Sequence, residues 1–152
     1  MKRSAASLFL FLAILTLASG FRSDKNRPAE GIQWLTIEEA YAKIQQEPRK
    51  VLIDVYTDWC GWCKKLVSDT FSQPAFQDYA KENLVLLEID FPQGKPQSAE
   101  LKKQNEALSK KYGVNGFPTL VLLNPNGKEI ARNEGYLAGG PEAFEKWAEG
   151  AK

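Results

Sequence analysis

The sequence predicts an α/β fold in which a central mixed β-sheet carries helices on both faces. Three observations predict it. Two short, nearly continuous apolar runs, Val51 to Tyr56 and Leu84 to Asp90, have the composition of strands covered on both sides. Stretches with apolar residues at helical spacing alternate with these runs. Later an Asn-Pro-Asn-Gly turn joins two successive strand-like runs as a hairpin, and one more helical stretch closes the chain.

Each element has a local cause. Thr36 followed by Glu39 is a capping box. It opens a helix to about Glu47 with Ile37, Ala40, Tyr41 and Ile44 on one face, and Pro48 ends it. The strand Val51 to Tyr56 leads through a short turn into a helix from Cys60 to about Ser68. A further helix runs from Pro74, a residue suited to a first turn, to about Glu82. After the strand Leu84 to Asp90, the segment FPQGKPQ interrupts regular structure. Ser98 then caps a helix to about Tyr112, with Leu101, Leu108 and Tyr112 on one side. The runs FPTLVLLN and KEIARNEGYL form the hairpin, and Gly139-Gly140-Pro141 starts a final helix carrying Phe144 and Trp147.

Composition narrows the function. A chain of 152 residues, 43% of them apolar, fits one domain with an ordinary core. Basic residues exceed acidic ones by one, so no cationic surplus points to nucleic acid. Histidine is absent, which removes His-based acid–base catalysis, Ser–His and Cys–His pairs and His-ligated metal. The sequence calls for no cofactor and no metal ion.

Residues 1–20 are of a different kind. Lys2 and Arg3 precede an apolar run from Ala5 to Ala18, and Ala18-Ser19-Gly20 supplies small residues for cleavage, the three-part form of a secretory signal. The run of 14 residues is short beside the roughly 20 that a spanning helix needs. An uncleaved N-terminal membrane anchor is the alternative. Removing residues 1–20 takes away two cations and no carboxylate, which turns a net charge of +1 into one excess anion. Residues 21–31 read as a polar tether and 32–150 as the folded domain. The expected location is therefore the periplasm or the exterior of the cell.

The only two cysteines lie three positions apart in TDWCGWCKKL, Thr57 to Leu66. Outside the cytosol such thiols oxidise unless kept reduced. A structural bridge is one reading, but so short a loop restrains the unfolded chain little. Exchange chemistry is the other. Cys60 stands where a strand gives way to a helix, and free N–H groups and the helix dipole there favour a thiolate, the nucleophilic form. Cys63 follows nearly one turn later on the same face, placed to resolve a mixed disulfide held on Cys60, with Lys64 and Lys65 adding positive charge. Asp54 interrupts an apolar strand six residues before Cys60. Burial would raise its pKa and suit it to take the Cys63 proton; an edge carboxylate bonded to main-chain N–H groups is the plainer alternative.

Asp54, the run WCGWCK from Trp59 to Lys64, GFPT from Gly116 to Thr119, the turn NPNG and Gly135 together resemble the thioredoxin family over roughly residues 32–150. DVYTDWCGWCKKL is particularly similar to exported members, such as the C-terminal domain of the membrane protein that carries reducing power into the bacterial periplasm. The resemblance implies a thioredoxin fold and a thiol–disulfide oxidoreductase, a protein-disulfide reductase with Cys60, Cys63 and Asp54 as its catalytic residues. It implies that Pro118 is cis and packs opposite the cysteines. Phe117 would then pair by its backbone with an extended substrate, and Trp59, Gly61 and Trp62 would complete the substrate-binding residues. Implied partners are protein thiols and disulfides and a membrane or soluble thiol electron donor, with the chain itself a monomer. Two departures stand out. Trp62 occupies a position where family members often have Pro, and Leu86 stands where many have a lysine beside the buried Asp. Without that cation, desolvation alone should raise the Asp54 pKa more strongly. The segment Phe91 to Ser98 also lengthens a connection, either for partner choice or as a tolerated surface loop. Three alternatives stay open: a disulfide oxidase or isomerase, a Cu(I)-binding metallochaperone using the two thiolates, and an adaptor with an inert disulfide.

Overall fold

The computed structural model describes residues 31–152; the expected export signal and nearly all of the tether lie outside the described residues. Among the described residues, five helices and four strands follow in the order α1 (Ile37–Gln46), β1 (Lys50–Tyr56), α2 (Gly61–Leu66), α3 (Pro74–Asn83), β2 (Leu84–Asp90), α4 (Ala99–Lys111), β3 (Thr119–Leu123), β4 (Glu129–Glu134) and α5 (Gly140–Gly150). The sheet order is β2-β1-β3-β4. β1 and β2 are parallel, while β3 runs antiparallel to both β1 and β4. This is the mixed sheet with two helical layers that the alternation predicts.

Local chemistry forms the elements as read. The Thr36 N–H donates to Glu39 Oε2 at 2.8 Å and the Glu39 N–H to Thr36 Oγ1 at 3.4 Å, a reciprocal cap. Ser98 Oγ accepts the Leu101 N–H at 3.1 Å. In the hairpin, Asn124 Oδ1 accepts the N–H groups of Asn126 and Lys128, both at 3.0 Å, and Gly127 takes the positive φ of 78° that the turn requires.

Period-two alternation divides the core. Val51, Ile53 and Val55 face α1 and α4 with Val85, Leu87, Ile89 and Val121. Leu52, Leu84, Leu86, Leu120 and Leu122 face α2, α3 and α5, where Phe71, Phe76 and Phe144 form the largest buried group. Asp54 shares the Leu52 face, opposite Ile53 and Val55 as the alternation demands.

Two expectations on helix faces need correction. Tyr41 is 67% exposed: the stripe of α1 that meets the sheet is Ile37-Ala40-Ile44, too narrow to cover a neighbour at its edge. Leu101 is likewise exposed, at the open end of α4. Trp34 and Trp147 are half-buried and lie against the core, with ring centroids 5.1 Å from Phe71 and 5.4 Å from Phe144 respectively.

The helix after the cysteines also departs from expectation. Past Leu66 it widens into a π-helical segment, Val67–Phe71, whose closing bond is Ser72 N–H to Val67 O at 2.8 Å. The extra residue per turn lets adjacent Thr70 and Phe71 both point inward. Periodicity at 3.6 residues cannot reveal such a turn.

Phe144 is fully buried and meets Phe76 at 4.9 Å and Phe71 at 6.4 Å. Replacing it by Ala is expected to cost about 3–5 kcal/mol, measured as a lower urea midpoint at constant m value. A loss below about 1 kcal/mol would show that these rings do not form one cooperative core.

Candidate active site

β1 ends at Tyr56, and the tight turn Thr57-Asp58-Trp59 delivers Cys60 to the N-cap of α2 with extended backbone, φ −74° and ψ 112°. The Cys63 N–H donates to Cys60 Sγ at 3.1 Å. One of the donors that a helix start leaves without a backbone partner is thus satisfied by sulfur, a contact that strengthens if the sulfur becomes a thiolate. Helical backbone continues from Gly61 to Phe71, and its dipole acts in the same sense. Cys60 and Cys63 are joined as a disulfide with Cα atoms 5.3 Å apart, and both are buried.

The cysteines connect two cavities. Outside, a groove of about 420 Å³ is lined by Trp59, Cys60, Gly61, Trp62, Gly116 and Phe117, together with Asn115. Trp59 is 55% exposed and meets Phe117 edge-on at 6.1 Å. Trp62 is 59% exposed and lies over Tyr136 at 5.4 Å. The Tyr136 hydroxyl donates to Asp69 Oδ2 at 2.6 Å, and Lys65 Nζ reaches the same oxygen at 2.7 Å. Those two donors, the lysine first, hold the Asp69 carboxyl down at about 2. A Cβ built on Gly61 would meet nothing within 4 Å, so packing does not require that glycine. The Phe117–Pro118 bond is cis, and Pro118 O accepts the Gly135 N–H at 2.8 Å. Five of the sequence-predicted residues therefore share the groove wall, with buried Pro118 directly behind Phe117.

Toward the core, a cavity of about 440 Å³, half open to solvent, has Cys63, Asp54, Tyr56, Asp58, Lys64 and Glu88 in its lining. Asp54 is only 6% exposed, and its Oδ1 has no hydrogen-bond partner. Burial, followed by the charge of Glu88, pushes its carboxyl up to about 7. The plainer alternative, a carboxylate satisfied by main-chain N–H groups, does not describe this atom. The register explains the second contribution: Glu88 lies level with Asp54, whereas Leu86 lies level with Leu52. The expectation of a raised pKa from desolvation alone was incomplete, since a like charge stands across the strand pair. Tyr56 donates its hydroxyl to Glu88 Oε2 at 3.1 Å. The signal for Glu88 was available in the sequence, since it interrupts LVLLEID much as Asp54 interrupts VLIDVY. Nothing comparable pointed to Asn115, which lines the groove, or to Tyr136, which lies against Trp62, both from loops distant in sequence.

Comparison with known proteins agrees with this geometry. A family profile described as a thioredoxin-like domain matches residues 37–152. The chain belongs to the thioredoxin-like family. It is 35% identical over 130 residues to the disulfide bond reductase DsbH of Chlamydia pneumoniae, covering 84% of this chain and 78% of that protein. A solved structure of a DsbH oxidoreductase superposes with a TM-score of 0.74 at 32% identity, covering 88% of this chain and 94% of the other. The thiol:disulfide interchange protein DsbD of Pectobacterium atrosepticum is 37% identical over 103 residues, 66% of this chain. The chain spans only 16% of that relative's length. This thioredoxin-like chain is thus a member of the thiol–disulfide oxidoreductases, and the oxidised Cys60–Cys63 pair is the redox centre that such chemistry needs.

The inner carboxyl has a measurable signature. Because the folded-state pKa of Asp54 is raised from 3.8 to about 7, the native state holds an extra proton between those values. The contribution of Asp54 to stability is therefore greatest at low pH, falls as pH rises through that window and levels off above it. Asp54→Asn removes the penalty and is expected to stabilise the oxidised protein at pH 8, with an upper limit of about 4 kcal/mol. The gain should vanish as pH approaches about 4. Urea unfolding across that range checks it; a gain independent of pH would show that this carboxyl does not titrate there.

Proposed function

We propose that the protein reduces protein disulfides outside the cytosol, with Cys60 as the attacking thiol, Cys63 as the resolving thiol and Asp54 as the base that serves Cys63. The observation that carries this reading is the division of the two sulfurs. Cys60 lines the outer groove and accepts the Cys63 N–H at 3.1 Å, while Cys63 lines the inner cavity with Asp54. One sulfur is thereby stabilised as an anion and reached by clients, and the other is placed beside a proton acceptor.

In the reduced protein the Cys60 thiolate attacks one sulfur of a client disulfide. The client's other sulfur leaves as a thiolate and takes a proton from solvent. Cys63 then gives its proton to the Asp54 carboxylate, directly or through water, and attacks Cys60 Sγ. The Cys60–client bond breaks and the second client thiolate departs. Two electrons pass to the client, and the protein is left as the disulfide described above. A dithiol donor, membrane-bound or soluble, must return it to the reduced state. Phe117 makes no backbone hydrogen bond among the described residues, which suits it to pair with an extended client segment beside Cys60.

One finding favours reduction over oxidation or isomerisation. The relative aligned over most of both chains is named a disulfide bond reductase. A carboxyl near neutrality in the cavity that Cys63 lines suits proton transfer in the resolving step, whichever way the electrons run. The N-terminal pattern of Lys2, Arg3 and the apolar run favours action after export.

Replacement of Cys63 by Ser is expected to trap clients as mixed disulfides on Cys60, and removal of Cys60 as well should abolish them. A redox titration against glutathione should place the pair below about −200 mV. Absence of any trapped species would overturn the exchange mechanism, whereas a potential well above that value would reverse its direction.

A further inference from the structure

The Phe91 to Ser98 segment is fastened at both ends and in the middle. At one end the Phe91 N–H donates to Tyr56 O at 3.0 Å. Toward the other, Gln97 Nε2 donates to Asp90 O at 2.9 Å, and Lys95 Nζ pairs with Asp90 Oδ2 at 2.6 Å. In the middle, the Asp58 carboxylate accepts two successive main-chain N–H groups, Gln93 at 3.0 Å and Gly94 at 2.7 Å. These bonds, Gln93 first, hold the Asp58 carboxyl below its ordinary range, so it is ionised at working pH.

Asp58 immediately precedes Trp59. A loop that merely connected β2 to α4 could leave its N–H groups to water; this one aims two of them at the turn that presents Trp59 and Cys60. Gly94 is shaped to the contact, since a Cβ there would lie 2.8 Å from Asp58 Oδ2. The same segment reaches the groove a second way. Phe91 lies 5.7 Å from Phe117, which in turn lies 6.1 Å from Trp59, so three rings form a row behind one groove wall.

We propose that the Phe91 to Ser98 segment is a client-recognition brace: through Asp58 and Phe91 it sets the positions of Trp59 and Phe117, and so the shape of the groove that receives an extended protein client. Asp58 acts as a positioning residue through the Gln93 and Gly94 N–H groups that it accepts, although it also lines the cavity shared by Cys63 and Asp54. The proposal rests on the exchange reading above. It separates two kinds of substrate. A protein disulfide must be seated along the wall before Cys60 reacts. A small disulfide such as oxidised glutathione reaches the sulfur without using that wall.

The test compares Asp58→Ala, Gly94→Ala and the double variant with the parent protein, using insulin reduction with dithiothreitol as donor and the reaction of the reduced protein with oxidised glutathione. Each single variant is expected to raise KM for insulin about fivefold to tenfold with kcat within about twofold. In Gly94→Ala, which keeps the Asp58 charge in the cavity shared by Cys63 and Asp54, the rate with oxidised glutathione and the reduction potential should match the parent. The double variant should be no worse than Asp58→Ala alone, because loss of the Asp58 carboxylate leaves the methyl group added at position 94 nothing to strike. If Asp58→Ala does not fold, as judged by circular dichroism, Gly94→Ala at its exposed loop position carries the test by itself. An unchanged KM for insulin, or a parallel loss toward both substrates, overturns the brace. A parent inactive toward both substrates overturns the exchange reading, and the brace with it.

Discussion

The main-chain N–H of Cys63 pointing at the sulfur of Cys60 is the contact on which the rest of the site depends. It exists because β1 ends two residues before Asp58 and the chain enters α2 at Cys60 with extended backbone. A strand buried on both faces leads the cysteine to that place, and a helix start supplies the donor. Shifting the entry by one residue would put a different side chain at the cap and leave the donor to water. The fold is thus an aiming device for a few polar groups, and the two cores, one mainly aliphatic and one rich in phenylalanine, hold the aim.

The second constraint is electrostatic. Asp54 and Glu88 are held level by the parallel pairing of β1 and β2, so the inner cavity contains one carboxyl in apolar surroundings and another near its rim. Two carboxylates so placed do not both ionise freely, and the buried one yields. The cation that many family members place near the buried Asp is absent from this pair of strands. Where such a cation would lower the proton affinity of Asp54, Glu88 raises it. The site is therefore tuned by a like charge rather than by an opposite one.

Much of this was legible in the residues themselves. Period-two alternation in VLIDVY placed Asp54 on the face opposite Ile53 and Val55, and the cap chemistry of Thr36 and Ser98 gave the starts of α1 and α4 to the residue. The cysteine spacing and the strand that precedes it located the groove. What escaped were features set by register or by distant loops. Glu88 was visible as an interruption, but only the strand pairing shows which residue it opposes. Tyr136 meets Trp62 because the loop after β4 folds back, and no local pattern encodes that. Tyr41 was misplaced because helical periodicity reports a face without reporting how much neighbour exists to cover it.

The π-helical segment after Leu66 has a consequence of phase. An α-helix advances about 100° per residue, so a single residue added or removed between Leu66 and Phe71 would turn the front of the helix by more than a quarter of a revolution relative to its back. The front carries Cys60 to the groove and Cys63 to the cavity beside Asp54, and the back carries Thr70 and Phe71 into the core. The wide turn reconciles those two headings. Restoring an ideal helix there by deletion would leave one end correctly seated and swing the other away from its neighbours.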